Sequence, residues 1–380
     1  MNVTSVKRIH QSDWTDSGVR FLRARDIVSA SKNEEPDDYL YISKEKYDEY
    51  SLISGKVSVG DLLVTGVGTI GVPYLIRNSE PLYFKDGNII WFQNGTKIDG
   101  DFFLYSFFGK AIQDFINESA GIGTVGTYTI ESGKKTPISL PEMKEQQQIG
   151  AYFRNLDNLI TLHQRKYDKL QVLKKAMLEK MFPKNGSSVP EIRFKGFTDA
   201  WEQRKLGDCF TERCESMPDG ELISVTINDG IKKFSELGRH DNSNDDKSKY
   251  KKVCADDIAY NSMRMWQGAS GCSPYEGIVS PAYTVLTPNS GINSKCMAYQ
   301  FKLPATIHTF KINSQGITSD NWNLKFPALS EIEIYVSPYE QEQAKIAAYF
   351  ANLDHLITLH QRELEKLQNI KKSMLEKMFV

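Results

Sequence analysis

Residues 145–182 read EQQQIGAYFRNLDNLITLHQRKYDKLQVLKKAMLEKMF, and residues 342–379 read EQAKIAAYFANLDHLITLHQRELEKLQNIKKSMLEKMF. The two align without a gap at an offset of 197, and 27 of the 38 positions are identical. Self-similarity of this strength predicts a chain made of two halves. Each copy predicts one long helix: neither contains Pro, Gly150 is the only Gly, and Ala, Leu, Lys, Gln and Glu dominate. The apolar period is seven. Ile149, Leu156, His163, Leu170 and Met177 fall on one heptad column, and Phe153, Ile160, Tyr167, Lys174 and Met181 on the other. The second copy repeats them with Ile346, Leu353, His360, Leu367 and Met374, then Phe350, Ile357, Leu364, Lys371 and Met378. Two such seams argue for coiled-coil pairing. At about 1.5 Å per residue each helix is about 57 Å long. The simplest pairing within one chain is antiparallel about a pseudo-two-fold axis. His163 and His360 are then expected near its middle and close to each other. Nothing nearby supplies further metal ligands, so they read as hydrogen-bonded or solvated seam positions.

The rest of the chain has room for two domains: 380 residues, 40% hydrophobic and 25% charged. There is no run of about 18 apolar residues and no signal peptide, so a soluble, cytoplasmic protein with no membrane role is expected. The five cysteines all lie in the second half and form no CxxC, which argues against disulfides or a structural zinc in a duplicated fold. The net charge is −1. A protein that grips DNA by bulk charge is excluded, and any nucleic-acid role must rest on local surfaces or on a basic partner.

Along the first half, residues 6–9 read as a short strand and 19–27 as a basic strand or turn. The polar stretch 29–50 reads as surface loop, 56–65 as a turn feeding a buried strand, and 74–77 and 88–93 as strands. Residues 101–117 have helical periodicity, and 119–126 form a Gly-rich loop. The breaker-rich run 183–190 opens a connector. The second half then repeats the outline: 253–260 (VCADDIAY) corresponds to 57–64 (VSVGDLLV), Asp257 to Asp61, and Pro338 to Pro141. The predicted fold class is α+β: two α/β domains separated by two long antiparallel coiled-coil helices. The boundaries are domain 1 at 1–141, helix at 142–182, connector at 183–200, domain 2 at 201–338 and helix at 339–380. The helices are nearly identical while the domains have diverged. One pair of elements therefore does the same job twice, such as binding two copies of one partner. The other pair can do two different jobs on one scaffold.

Two GxGxxG strings occur, at 66–71 and 121–126. The first follows a strand, but Val72 and Pro73 stand where a helix must open, and the second follows a helical stretch. Dinucleotide binding is disfavoured, and Gly-rich turns that bring backbone close to a ligand remain. Walker lysine, HExxH, GxSxG and Cys/His signatures are missing, as is an Asn/Asp-Pro-Pro-aromatic methyltransferase string. Catalysis within this chain has little support. In the second half, Asn261, Ser262, Arg264, Trp266 and Gln267 gather amides, an arginine and an indole on one loop after a strand. Such groups suit base edges, Arg for guanine and Asn or Gln for adenine, and equally suit a polar loop around a packed Trp. Asn321 and Trp322 can reach a ligand or close a core. Arg20, Arg23 and Arg25 are read as alternating on one strand face, as phosphate or base contacts or as a solvated edge.

The duplicated helices, the run DDIAYNSMRMWQGASG…GIVSPAY and the segment PEIRFKGFTDAWEQRKLGD together resemble the specificity (S) subunit of type I restriction–modification enzymes, over nearly the whole chain. The first domain has no lead-in like PEIRFKGFTDAWEQRKLGD before Met1, and a shortened N-terminus is one expectation. The resemblance implies that each α/β domain is a target recognition domain reading one half of a split sequence in double-stranded DNA. The helices would act as a ruler between half-sites and dock two modification subunits that methylate adenine. Restriction subunits would join them. The implied cofactors, S-adenosylmethionine and ATP with Mg2+, sit on those partners and none on this chain. Base-reading residues vary within the family. By position, the loops nominated for DNA contact add Thr65, Thr69, Thr124 and Tyr128 in the first domain and Thr318 in the second. The competing expectation is a coiled-coil scaffold whose two domains bind proteins or other ligands.

Overall fold

Uninterrupted apolar residues at 62–64 and 89–92 require strands covered on both faces. The computed structural model, which describes residues 1–120, 126–184, 186–227, 230–241, 243–317 and 321–379, places both at the centre of a sheet. Its contacts divide the chain into two units, Met1–Arg165 with Gln361–Val380, and Lys166–His360.

The first unit runs β1 (Asn2–Thr4), β2 (Trp14–Thr15), β3 (Val19–Leu22), α1 (Ala24–Ser31), β4 (Leu40–Ile42), α2 (Lys44–Ser54), β5 (Leu62–Thr65), β6 (Pro73–Leu75), β7 (Leu82–Phe84), β8 (Ile89–Gln93), α3 (Gly100–Ser106), α4 (Lys110–Ser119), α5 (Ile130–Lys134) and the start of α6 (Met143–Met181). One sheet has the order β1-β8-β5-β6, and another the order β2-β4-β3-β7. Side chains alternate across the first sheet. Leu62, Val64, Ile90 and Phe92 enter one core with α3, α4 and the long helices, while Leu63, Ile89 and Trp91 enter a second with Leu22, Ile27 and Phe84.

The second unit adds β9 (Glu202–Lys205), α7 (Leu206–Cys209), β10 (Phe210–Glu212), β11 (Ile223–Thr226), β12 (Gly230–Lys233), β13 (Lys251–Val253), β14 (Ile258–Asn261), β15 (Ser270–Cys272), β16 (Gly277–Val279), β17 (Tyr283–Pro288), α8 (Ser294–Gln300), α9 (Pro304–Asn313), α10 (Phe326–Ser330), β18 (Glu333–Val336) and α11 (Glu340–Met378). Its main sheet, β10-β17-β14-β15, is ordered like β1-β8-β5-β6, with every neighbour antiparallel. The turn before each central strand is closed alike: Ser58 N–H donates to Asp61 at 2.9 Å, and Cys254 N–H to Asp257 at 2.8 Å. The two domains thus share the topology of their main sheet, while the first adds the sheet β2-β4-β3-β7 where the second has the pairs β11-β12 and β13-β16. Among the described residues, no helix is long and apolar enough to cross a membrane.

Each long helix has 39 residues and opens by gripping its own domain. The buried Gln146 accepts from the Asp99 N–H at 3.0 Å, where Asp99 caps α3, and Gln343 accepts from Asn293 N–H at 2.8 Å, where Asn293 caps α8. A Cβ at Gly150 would stand 2.6 Å from the Asp99 carboxylate, so this glycine permits the close approach of α6 to α3. Within the first unit, Phe153 meets Phe379 while Asp157 meets Lys371, so the two helix segments run in opposite directions. Within the second unit Phe350 meets Phe182 and Asp354 meets Lys174, with the same sense. Of the seam positions, Ile149, Phe153, Leu156, Ile346, Phe350, Leu353 and Ile357 are buried; Ile160, His163, Leu170, His360 and Leu367 are half-buried.

Several local readings need correction. Residues 29–50 are not a loop: they hold the end of α1, β4 and most of α2. α2 buries only Tyr47 and Ser51, too narrow a stripe to stand out among its charges. Residues 6–9 lie between strands, and 101–117 is split into α3 and α4. The strand carrying Arg20 ends at Leu22, so Arg23 and Arg25 are not on its face: Arg23 is the N-cap of α1 and Arg25 lies in its first turn. Among the described residues the connector, 183–200, forms no regular element yet is packed, with Phe194 against Tyr349 and Phe197 against Tyr339.

Candidate nucleic-acid interface

β14 delivers the chain to Asn261, where the backbone leaves the sheet and returns at Ala269, whose carbonyl accepts the Asn261 N–H at 3.0 Å. Met265, fully buried, anchors this loop, and Gly268 closes it at φ +83°, a conformation that favours glycine. A second stretch is drawn to the same place. Gln315 and Asn323 exchange backbone hydrogen bonds of 3.0 and 2.8 Å, and Leu324 N–H donates to the Ser262 carbonyl at 2.9 Å. Trp266 and Trp322 then meet edge to face with centroids 5.3 Å apart, and the Lys311 ammonium lies 5.6 Å from the Trp322 ring centroid. Arg264 and Asn321 are exposed, Asn261 and Gln267 half-buried, and Gln267 Oε1 has no hydrogen-bond partner among the described residues. The loop and the 315–324 stretch thus bring an aromatic pair flanked by a cation together and expose Arg264 and Asn321, while Asn261 and Gln267 are half-buried. These groups can read base edges and stack on bases. Ser262 departs from its nomination: its hydroxyl bonds Thr284 inside the fold. Thr318 lies outside the described residues.

The first unit uses the same construction. Tyr128 N–H donates to the Gly66 carbonyl at 2.9 Å, the counterpart of the Leu324–Ser262 bond, and joins the chain at 126–128 to the first Gly-rich string. A Cβ on Gly66 would stand 2.6 Å from the Tyr128 carbonyl, so the backbone approach requires glycine there. Thr69 is exposed at the loop tip. Thr65 and Tyr128 are corrected to structural roles. The Thr65 hydroxyl donates to the Thr69 carbonyl at 2.5 Å and accepts from Val72 N–H at 2.9 Å, and the buried Tyr128 hydroxyl bonds Thr136. Thr124 lies outside the described residues. Of the arginines, Arg23 is 13% exposed and its guanidinium is taken up by Asp26 and Asp38, while Arg25 also pairs with Asp38. Both act in holding α1 to the loop before β4. Arg20 lies over the Tyr39 ring at 4.5 Å and lines a cleft of about 720 Å3 with Tyr74, Arg77, Tyr105, Arg154 and Lys371.

Lys302 is a residue that sequence reasoning missed. Its ammonium donates to the Gly268 carbonyl at 2.5 Å and the Ile227 carbonyl at 2.8 Å, tying the 261–268 loop to the turn between α8 and α9. Burial first, and the nearby Lys174 second, lower its pKa to about 8. The unfolded chain then holds this proton more tightly than the folded one, so stability rises with pH between about 8 and the ordinary lysine value of 10.5. Denaturant unfolding of wild type and Lys302→Met across that window is expected to show the rise in wild type and its loss in the variant.

The family described as "Type I restriction modification DNA specificity domain" matches residues 12–172 and again 198–369. The chain belongs to this family. Each match takes in one α/β domain and most of the long helix after it, so the chain carries two specificity domains in sequence. A relative described as "Putative type I restriction enzyme specificity subunit S.HindORF215P", from Haemophilus influenzae, is 35% identical over 163 residues, 42% of this chain and 39% of that relative. The chain thus aligns with well under two thirds of that protein's length. The crystal structure of a type I restriction–modification S subunit from M. genitalium superposes with a TM-score of 0.53 at 15% identity, covering 100% of this chain and 93% of that one, and shares the fold. The HsdS subunit from Thermoanaerobacter tengcongensis gives a TM-score of 0.44 at 14% identity, over 99% of this chain and 93% of that one.

Proposed function

We propose that the chain is the non-catalytic DNA-specificity subunit of a type I restriction–modification complex, with each unit reading one half of a bipartite duplex target. One observation carries this reading: equivalent loops, pinned by the same backbone hydrogen bond, present different side chains in the two units. The second unit offers Arg264, Trp266, Gln267 and Trp322, the first Thr69 and glycine backbone. Identical scaffolds with unlike tips fit two unlike half-sites. A helix of 39 residues is about 58 Å long and spans at most about 17 base pairs, room for two short tracts and an unread gap.

The helices also supply a docking face. Leu159 and Leu162 are 43% and 46% exposed, and Leu356 and Leu359, at the same places in the second copy, are 40% and 44% exposed. Leucines left exposed at identical positions of both copies fit two copies of one partner, here the adenine-methylating modification subunits. These would carry S-adenosylmethionine and most of the phosphate contacts, and restriction subunits would bring ATP and Mg2+ chemistry, all in the cytoplasm.

Exchanging residues 201–338 for the second domain of another family member is the test. Mapping methylated adenines in cells bearing the hybrid and its modification subunit is expected to show one half-site changed and the other retained. A change in both halves would refute independent reading.

A further inference from the structure

Two lysines stand in the heptad column that otherwise holds Phe, Ile, Tyr, Leu and Met: Lys174 and Lys371. A lysine facing an apolar seam is costly unless its charge is met. In the first unit the Lys371 ammonium lies 2.6 Å from one Asp157 oxygen, and the buried Tyr105 hydroxyl donates to the other at 2.7 Å. In the second unit Lys174 lies 2.5 Å from one Asp354 oxygen, and the Tyr299 hydroxyl donates to the other at 2.8 Å. The ammonium also sits 5.5 Å from the Tyr105 ring centroid in one cluster and 5.9 Å from that of Tyr299 in the other. Each cluster joins three elements: the first half of one long helix, the second half of the other, and α3 or α8 of the recognition domain. The domains share little sequence, yet both place a tyrosine at this point.

We propose that the two Tyr–Asp–Lys clusters are register locks that fix the alignment of the long helices and seat a recognition domain on them, and so set the number of unread base pairs. The inference rests on the DNA-specificity reading above. A heptad seam resembles itself after a slip of seven residues, because apolar side chains meet apolar side chains again. Such a slip moves one helix along the other by about 10 Å, the rise of about three base pairs. Apolar packing opposes it weakly. The clusters add a specific opposition: a slip parts each lysine (25–27% exposed) from its aspartate (36–39% exposed) and takes away the acceptor of the tyrosine hydroxyl.

The test compares four full-length chains, each assembled with the modification subunit: wild type, K174M/K371M, D157K and D157K/K371D. Methylation is mapped on targets whose half-sites are constant and whose separation varies. Carbodiimide cross-linking read by peptide mass spectrometry reports the 157–371 pair without DNA. Wild type is expected to give that cross-link and a single spacing. K174M/K371M is expected to raise methylation at other spacings at least about tenfold with half-sites unchanged. D157K/K371D is expected to restore the cross-link and the single spacing that D157K loses. If the variants only melt at lower temperature and keep the wild-type spacing profile, the clusters are plain structural contacts and the proposal is overturned. It is equally overturned if wild-type Lys371 cross-links to carboxylates other than Asp157. If wild type methylates without a bipartite target, the specificity reading fails, while the cross-link and its recovery in the charge-swapped chain still decide whether the pair aligns the helices.

Discussion

Arg193→Ala is expected to destabilise the second unit by about 3–5 kcal/mol. Glu342, in the first turn of α11, is fully buried, and both of its oxygens face Arg193, at 2.6 Å from Nε and 2.9 Å from Nη2. The Ser337 hydroxyl adds a bond of 2.5 Å, and Arg193 itself is 11% exposed and also donates to the Asp199 carbonyl at 2.7 Å. Truncating the arginine leaves a buried carboxylate held by one hydroxyl and the helix N-terminus, which meet only part of its charge. Replacing both residues by methionine removes the orphan along with its partner and should cost much less than the single change. Urea unfolding at neutral pH separates these outcomes. A cost below about 1 kcal/mol for Arg193→Ala would mean that water reaches the carboxylate. The effect also defines the connector as part of the second unit's core.

Phe153→Ala is expected to cost the first unit about 3–5 kcal/mol, a large share of the roughly 5–15 kcal/mol that holds a domain folded. The ring is fully buried, with its centroid 5.1 Å from that of Tyr105 and 5.6 Å from that of Phe379. It therefore touches the recognition domain and the end of the other long helix at once, and truncation opens a cavity where three elements meet. Phe350→Ala should act alike on the second unit, where the ring meets Tyr299 at 5.1 Å and Phe182 at 6.2 Å. Leu162→Ala is the control. At 46% exposure it should change chain stability by less than about 0.5 kcal/mol, so any loss of modification-subunit binding tests the proposed docking face.

The long helices were legible because heptad spacing is a local signal repeated many times. The two-domain plan was legible because the chain copies itself. The strands at 62–65 and 89–93 could be read from their apolar runs. Arg23 and Arg25 could not be placed, because their roles depend on Asp38, which the strand β4 brings back to them. Thr65, Tyr128 and Ser262 sit beside the nominated loops but turn inward, since each hydroxyl finds a partner within the fold. Asp157 carried a faint signal: it is identical in both copies and lies on the same helical face as the seam, but only packing shows that Lys371 is its partner.

By itself the sequence determined two long amphipathic helices, their near identity, and two diverged copies of one α/β domain, because periodicity and repetition are properties of the chain. Tertiary structure decided which distant residues share a surface: Trp266 with Trp322, Lys302 with Gly268, Tyr105 with Asp157 and Lys371, Arg193 with Glu342. Such pairings follow from burial and hydrogen-bond satisfaction in three dimensions, where a lysine or a carboxylate is tolerated inside only when another part of the fold supplies its partner.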